Sequence, residues 1–233
     1  MLALLINTVS WGPYTHQSLC AHYSLRNSSE FVAGCSAPDA FKHIKTGLHS
    51  LPFAAALFAT ANGTAEVDFA LGYGCHLAAD VVGHRNNGFL NPQSDHPLEL
   101  ATDAMNFRDA HRGSLQQISS KMSDLVSRAS AGSVNSVSES EASTAVAKFR
   151  VLTTTEAAAL AVDAFYQKQM IRFSFCNVSS FAEVMDDYQR ASLWNKEACS
   201  TWQLAMLEGT PSPEAVLYER VGQLFVSNGG TSC

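Results

Sequence analysis

The residues best suited to chemistry in this chain of 233 residues are its histidines, which are unevenly distributed. All eight lie before residue 112, namely His16, His22, His43, His49, His76, His84, His96 and His111. Because imidazole is the commonest metal ligand in proteins, this distribution indicates a metal site in the N-terminal half. The alternative is that the eight histidines are distributed unevenly by chance, because their number is small.

The segment 74–84, GCHLAADVVGH, carries the clearest pattern. In a helix, His76, Asp80 and His84 follow one another at intervals of four residues and share one face. The alanine, leucine and valine residues around them predict an apolar setting, where buried imidazoles and a carboxylate are costly unless they find partners. Metal coordination would supply those partners. A hydrogen-bonded Asp–His pair on a half-exposed helix is the alternative interpretation.

A second pattern is His96-Pro-Leu-Glu99, preceded by Asp95. Proline suits the first turn of a helix, and residues three apart in a helix lie on the same face. Two helices that face each other across a core can build a carboxylate–histidine metal site in this way. A helix N-cap at Asp95 with a surface His–Glu pair is the alternative.

Three further motifs lie nearer the N-terminus and, taken singly, are typical of turns. They are Trp11-Gly-Pro-Tyr-Thr-His16, Pro38-Asp39-Ala-Phe and His49-Ser-Leu-Pro-Phe. The order of all five motifs resembles the zinc-dependent phospholipase C superfamily. That group includes bacterial phospholipases C, the catalytic domain of glycosylphosphatidylinositol-specific phospholipase D, and single-strand-specific zinc nucleases. The helix around His76 is most similar to the phospholipase C/D branch, whereas the Trp11–His16 segment is more similar to the nuclease branch.

The resemblance implies up to three zinc ions. The first would be held by Asp39, His49, His76 and Asp80. Asp80 would bridge to the second, which is bound by His16 and by the free amine and carbonyl of Trp11 if the chain is cleaved after Ser10. The third would be held by His84, His96 and Glu99. The interval from His96 to Glu99 is one residue shorter than in the bacterial enzymes, which makes Asp95 a substitute for His96.

The resemblance also implies an enzyme that hydrolyses phosphodiester bonds with a zinc-activated water. Asp39 is the predicted catalytic residue, which would orient or deprotonate that water. The expected substrates are phospholipids or lipid-linked phosphodiesters, reached by peripheral contact with a membrane surface.

Two alternatives stay open at this point. The first is a nuclease of the same fold, with nucleic acid as its partner; it requires aromatic side chains that stack on bases, for which Tyr14, Tyr73 and Phe89 are candidates. The second is a secreted binding protein that keeps the scaffold but is not a catalyst.

Composition limits these choices further. Apolar residues make up 46% of the chain and charged residues 15%, so a buried core is expected. The net charge of -6 argues against binding nucleic acid through a broad basic surface, although bound metal ions would add positive charge. No uninterrupted apolar stretch approaches the roughly 18 residues of a membrane span.

Several features favour the secretory pathway. The six cysteines show no CxxC spacing and could form disulfides, and Asn27, Asn62 and Asn177 begin glycosylation sequons. Residues 1–10 resemble a truncated signal segment, because an apolar run at 2–6 precedes small residues at Thr8 and Ser10. The alternative is an N-terminal extension that packs against the rest of the protein. We therefore expect a secreted or lumenal glycoprotein.

Helical patterns dominate the chain, so the predicted fold is all-α. Helices are expected over residues 54–61, 69–82, 98–109, 114–129, 155–173 and 181–207. The predicted domain covers 11–233, with a metal-binding half at 11–110 and a helical C-terminal half. A Ser- and Gly-rich connector is expected at about 130–143, with helix towards its end.

Overall fold

The computed structural model describes residues 12–23, 26, 28–84, 103, 115–160 and 181–227. Within these ranges the regular structure is helical and contains no β-strand, so the predicted all-α fold is confirmed. None of the described helices is long and apolar enough to cross a membrane.

The helices in the first 60 residues have 6–11 residues, and most of the later described helices are longer. In chain order they are α1 (Pro13–Tyr23), α2 (Ser29–Gly34), α3 (Ala37–Lys42), α4 (Leu51–Thr60), α5 (Thr64–His84), α6 (Ser120–Ser130), α7 (Glu139–Leu160), α8 (Phe181–Leu207) and α9 (Pro213–Ser227). A 3-10 helix, Thr46–Leu48, precedes α4. The predicted helix at 98–109 lies outside the described residues except for Asp103.

Helix α5 forms the centre of the fold. Its side chains are apolar on several faces, as the buried residues Leu71, Tyr73, Ala78 and Val82 show. Each apolar face of a helix must be covered by other parts of the protein. Helices α8, α2 and α4 pack against it and supply that cover. Every residue from 68 to 79 is buried, so side chains that project from this part of α5 lie in the interior of the protein.

The contact between α5 and α8 depends on a glycine. The indole of Trp202, which is almost wholly buried, lies directly against Gly74, and a Cβ at that position would clash with it. Glycine is unfavourable inside a helix by roughly 0.5–1 kcal/mol relative to alanine. The close approach of Trp202 gives the reason for its presence here.

Helix α7 begins at Glu139, earlier than the predicted helix at 155. The Ser138 hydroxyl accepts a hydrogen bond from the Glu141 backbone N–H at 3.2 Å, and the Glu141 carboxylate accepts one from the Ser138 N–H at 2.8 Å. This reciprocal pair is a capping box, which satisfies backbone donors at the start of a helix. A local cap therefore starts a helix within the Ser-rich stretch.

Two disulfides connect the helices around α5. Cys20 of α1 pairs with Cys35 at the end of α2, and Cys75 of α5 pairs with Cys199 of α8. All four cysteines are buried. Both bridges fix helices that carry or adjoin the candidate site.

Candidate metal centre

Five of the predicted site residues converge, although they come from four separate parts of the chain. His16 lies on α1, Asp39 on α3, His49 just before α4, and His76 and Asp80 on α5. His16 and His76 are wholly buried, and Asp39 is nearly so. The four-residue interval between His76 and Asp80 places both side chains on the same face of α5.

Local sequence explains how the loop residues reach the site. Pro38 occupies the first turn of α3, where its fixed φ suits a helix start, and Asp39 follows it in that turn. His49 ends the 3-10 helix, and Ser50 caps α4 by accepting a hydrogen bond from the Phe53 N–H at 3.3 Å. Asp39 therefore lies in the first turn of α3, and His49 lies two residues before the first residue of α4.

Asp39, His49 and His76 form the first group. The Nε2 atoms of His49 and His76 lie 3.1 Å apart. The Asp39 Oδ1 atom lies 3.7 Å from His76 Nε2 and 3.9 Å from His49 Nε2. One ligand atom from each residue lies within 4.8 Å of the other two, a spacing that could hold a metal ion.

His16, His76 and Asp80 form the second group, which meets the same distance limit. His16 Nε2 lies 3.3 Å from Asp80 Oδ1, and the His16 and His76 rings stack with their centroids 3.6 Å apart. The other carboxylate oxygen, Asp80 Oδ2, lies 3.3 Å from the Nε2 atoms of both His49 and His76. The two oxygens of Asp80 therefore face the two different groups.

A backbone contact sets the orientation of His76. Its Nδ1 atom lies 2.9 Å from the Cys35 carbonyl oxygen. A carbonyl only accepts hydrogen bonds, so Nδ1 carries the proton and donates it. The Nε2 atom of the neutral ring then presents a lone pair to the site. In metal-binding histidines, the ring nitrogen that does not bind the metal commonly donates a hydrogen bond of this kind, which fixes the orientation of the ring.

The donor set fits zinc. Imidazole nitrogens and carboxylate oxygens are typical zinc ligands. In addition, both ring nitrogens of His16 and both carboxylate oxygens of Asp80 are buried without a hydrogen-bond partner among the described residues. Buried polar atoms without partners are rare because each costs about 1–3 kcal/mol. A bound cation would satisfy the atoms that face the centre.

The pKa shifts favour ionised carboxylates and the neutral forms of His16 and His49, whereas the pKa of His76 shifts the other way. Burial lowers the pKa of His16 to about 4 and also lowers the pKa of His49. For His76, burial acts in the same direction, but the carboxylates of Asp80 and Asp39 outweigh it and raise the pKa. Burial raises the pKa of Asp80, yet His76 and His16 hold it well below its usual range. Neutral imidazole and ionised carboxylate are the forms that bind metal.

Lys42 is a cation at the edge of the centre. Its Nζ atom lies 2.5 Å from Asp39 Oδ1, one turn along α3. Burial raises the pKa of Asp39, but the Lys42 ammonium and the imidazole of His76 outweigh it, so the pKa lies well below its usual range. Lys42 therefore balances the charge of Asp39 and would compete with a metal ion for it.

Asp103 is a buried carboxylate that no sequence motif indicates. It accepts hydrogen bonds from the Tyr14 N–H at 3.2 Å, the Thr15 N–H at 2.8 Å and the Thr15 hydroxyl at 2.7 Å. A Cβ on Gly12 would lie against this carboxylate and would force it to move. Asp103 thus anchors the backbone of Tyr14 and Thr15 in the first turn of α1. His16 follows Thr15 directly. Burial raises the pKa of Asp103 to about 7.

An open pocket of about 350 Å³ adjoins the centre. His49 and Asp80 form part of its wall, together with the apolar residues Leu51, Leu77 and Val81. Glu214 and Tyr218 of α9 line the same pocket. The C-terminal half of the sequence carries no recognisable motif, so nothing in the sequence pattern indicates these two residues.

Not all predicted residues can be placed. Trp11, His96 and Glu99, with the substitute Asp95, lie outside the described residues, and so does Phe89. His84 ends α5, and its side chain is not described. The predicted third ion site is therefore untested.

Two of the aromatic stacking candidates are wrong. Tyr73 is wholly buried, with its hydroxyl donating to the Leu48 carbonyl at 2.8 Å. Tyr14 is also buried, and its hydroxyl donates to the Thr153 carbonyl at 3.1 Å. Neither ring presents a face on which a base could stack.

The fold and the site together define an all-α metalloprotein whose buried histidine–aspartate centre lies between helices. The family model for zinc-dependent phospholipase C matches residues 12–130, which include all five converging residues. The chain belongs to the zinc-dependent phospholipase C family, and its domain is that of a phospholipase C-like phosphodiester hydrolase. Comparisons with curated proteins and with solved structures each gave no match.

Proposed function

We propose that this protein is a zinc-dependent enzyme that hydrolyses phospholipids or lipid-linked phosphodiesters. The observation that carries the proposal is the convergence of His16, Asp39, His49, His76 and Asp80 beside an open pocket, with buried polar atoms that lack hydrogen-bond partners among the described residues. Such a cluster is costly without a cation.

The donor atoms suggest how two ions would share the centre. His76 has one available nitrogen, because its Nδ1 atom donates to the Cys35 carbonyl, so it would bind a single ion with Asp39 and His49. Asp80 has one oxygen towards this group and one towards His16, which suits a bridging carboxylate. Trp11, His84, His96 and Glu99 remain predicted ligands for the second and third ions.

Bound zinc would supply Lewis-acid stabilisation of the negative charge that develops on the phosphoryl oxygens. Asp39 is the residue that we propose as catalytic. Its low pKa keeps the carboxylate ionised at neutral pH, so it can accept a hydrogen bond from the attacking water and orient it. Asp39 itself is nearly buried, but its Oδ1 atom lies 3.9 Å from Nε2 of His49, which lines the open pocket.

The pocket supports a lipid substrate. Leu51, Leu77 and Val81 give it an apolar wall beside His49 and Asp80. Phospholipids combine a charged phosphodiester with apolar chains, and such a wall can accept the part of the molecule nearest the phosphate. The burial of Tyr14 and Tyr73 leaves the nuclease alternative without two of its three predicted stacking residues.

The experiment is a substrate comparison on zinc-loaded protein. Phosphatidylcholine in mixed micelles and single-stranded DNA are incubated with the wild type and with Asp39→Asn, and the released products are identified. We expect lipid hydrolysis that Asp39→Asn lowers by at least about 100-fold. Cleavage of DNA alone would assign the nuclease function. Zinc occupancy of none or one ion, without hydrolysis of either substrate, would indicate the binding protein.

We also propose that the protein resides in the secretory pathway or outside the cell. The two disulfides support this, since such bonds persist in oxidising compartments. Thiol labelling of the protein from its native cells tests the proposal. Free thiols at Cys75 and Cys199 in freshly lysed cells would contradict it.

A further inference from the structure

Helix α9 contributes a carboxylate and an aromatic ring to the mouth of the metal centre. Glu214 and Tyr218 are four residues apart, so both project from the same face of the helix. Both line the pocket whose wall includes His49 and Asp80. The pocket is thus completed by a helix from the C-terminal half of the chain.

This contribution lies outside the part of the chain that matches the family. The match ends at residue 130, whereas α9 spans Pro213–Ser227. The metal centre and this wall of the pocket therefore come from different regions of the sequence. A residue in the second region can alter substrate choice without altering the ligand set.

The position of α9 is fixed by packing. Leu217 and Val221 are buried in the core, and the Tyr218 ring packs against it. The side chain of Glu214 is half-buried. Because the helix is held on its inner face, Glu214 keeps its place beside the pocket.

Glu214 brings a negative charge that no described cation neutralises. It forms no ion pair or side-chain hydrogen bond with the residues that the structure describes, whereas Glu197 nearby in the fold pairs with Arg220 at 3.0 Å. An acidic residue in the first turn also stabilises a helix through its dipole, which alone would explain Glu214. The dipole does not explain why this carboxylate lines the pocket of the metal centre.

We propose that Glu214 is a specificity-determining residue that disfavours substrates with a second phosphate near the scissile phosphodiester. The scissile phosphate would be drawn to the metal ions, but a neighbouring phosphate would meet the Glu214 carboxylate at the mouth. Like charges in a partly enclosed cavity repel more strongly than in bulk water. The site therefore selects phospholipids with a single phosphate over polyanionic phosphodiesters.

This inference rests on the proposed hydrolase function and is tested with a matched pair of lipids. Short-chain phosphatidylglycerol and phosphatidylglycerol phosphate differ only by the second phosphate on the headgroup. The zinc-loaded wild type, Glu214→Gln and Glu219→Gln are compared below the critical micelle concentration by kcat/KM. A lipid that is not turned over is measured instead as a competitive inhibitor of phosphatidylcholine hydrolysis.

Glu219→Gln is the matched control because Glu219 is an exposed residue of α9 that does not line the pocket. We expect Glu214→Gln to raise the preference for phosphatidylglycerol phosphate over phosphatidylglycerol by about threefold to tenfold, chiefly through KM or the inhibition constant. The gain should shrink at about 0.5 M salt, because salt screens the repulsion. Zinc content should be the same in all three proteins.

Two outcomes are kept apart by this design. If the wild type hydrolyses phosphatidylcholine but Glu214→Gln leaves the preference at the wild-type and Glu219→Gln value, the inference is overturned and the hydrolase function stands. If the zinc-loaded wild type hydrolyses none of the three lipids, the proposed function itself fails, and the inference fails with it.

Discussion

The Nε2 atoms of His49 and His76 lie 3.1 Å apart, although the two residues are separated by 27 positions. Since His76 donates its Nδ1 proton to the Cys35 carbonyl, its Nε2 atom directs a lone pair towards His49. Two imidazoles in this arrangement need a proton or a cation between them. Asp39 and Asp80 complete the surroundings with carboxylate oxygens at 3.3–3.9 Å. A dication at this position would meet two imidazole nitrogens and two carboxylates, a donor set typical of zinc.

Loss of His76 or Asp80 should lower both zinc content and thermal stability. His76→Ala and Asp80→Ala each remove donor atoms from the centre, and metal binding stabilises only the folded state. We expect the loss of at least one zinc ion per chain by elemental analysis. The melting temperature in excess zinc should fall by about 10 °C.

His43→Ala and Asp124→Asn are the controls for this prediction. His43 is exposed, Asp124 is partly exposed, and neither belongs to a candidate group, so both variants should keep full zinc content. Full zinc occupancy in His76→Ala or Asp80→Ala would remove that residue from the ligand set.

Replacing Lys42 by methionine should increase zinc affinity. The Lys42 ammonium contacts Asp39 and would compete with a metal ion for this carboxylate. Its positive charge would also repel the metal ion. A gain of about tenfold corresponds to the removal of one nearby like charge at roughly 1.4 kcal/mol. Competition with a fluorescent chelator measures the affinity. Lys45→Met, the same change at an exposed residue, should leave the affinity unaltered; equal gains in both variants would point to general surface charge.

Asp103 should make the stability of the metal-free protein depend on pH. Burial raises its pKa from 3.8 to about 7, so the folded state binds a proton that the unfolded state has released. The stabilisation is fully present below about pH 4 and is lost as the pH rises through about 7. The difference in free energy of unfolding between the wild type and Asp103→Asn should fall by up to about 1.4 kcal/mol per pH unit in this window.

Urea unfolding in the presence of a chelator measures this difference. The comparison with Asp103→Asn is needed because the pKa of His16 shifts in the opposite direction. A lowered histidine pKa makes stability rise with pH over part of the same range, and subtraction of the two curves cancels that effect. A constant difference from about pH 4 to about pH 7 would show that Asp103 is ionised throughout.

The sequence predicts the centre where spacing within one element determines geometry. The interval between His76 and Asp80 is enough to place both on one face of a helix. The approach of His16, Asp39 and His49 to that face is predicted only through the resemblance to a family. Asp103 lies 88 residues from Thr15, and nothing in its neighbourhood indicates that it anchors α1.

Local sequence explains where the predicted helix bounds agree with the observed ones and where they differ. The predicted bounds of α8 match the observed helix, because its long helical pattern is continuous. The predicted start of α7 is too late, since the Ser-rich composition suggests a connector although Ser138 and Glu141 carry the spacing of a capping box. Glu214 and Tyr218 reach the pocket only through the packing of α9, which helical spacing alone does not reveal.

The two disulfides should differ in their contribution to stability. Cys75–Cys199 closes a loop of 124 residues, whereas Cys20–Cys35 closes one of 15. If a disulfide acts by restricting the unfolded chain, removal should cost about 3 kcal/mol for the short loop and nearly 5 kcal/mol for the long one. Replacing each pair by alanine and measuring urea unfolding compares them directly. The long-loop variant should also bind zinc more weakly, because Cys75 precedes His76 and the bridge holds α5 against α8. A smaller loss for the long loop would show that the unfolded chain already keeps α5 and α8 together.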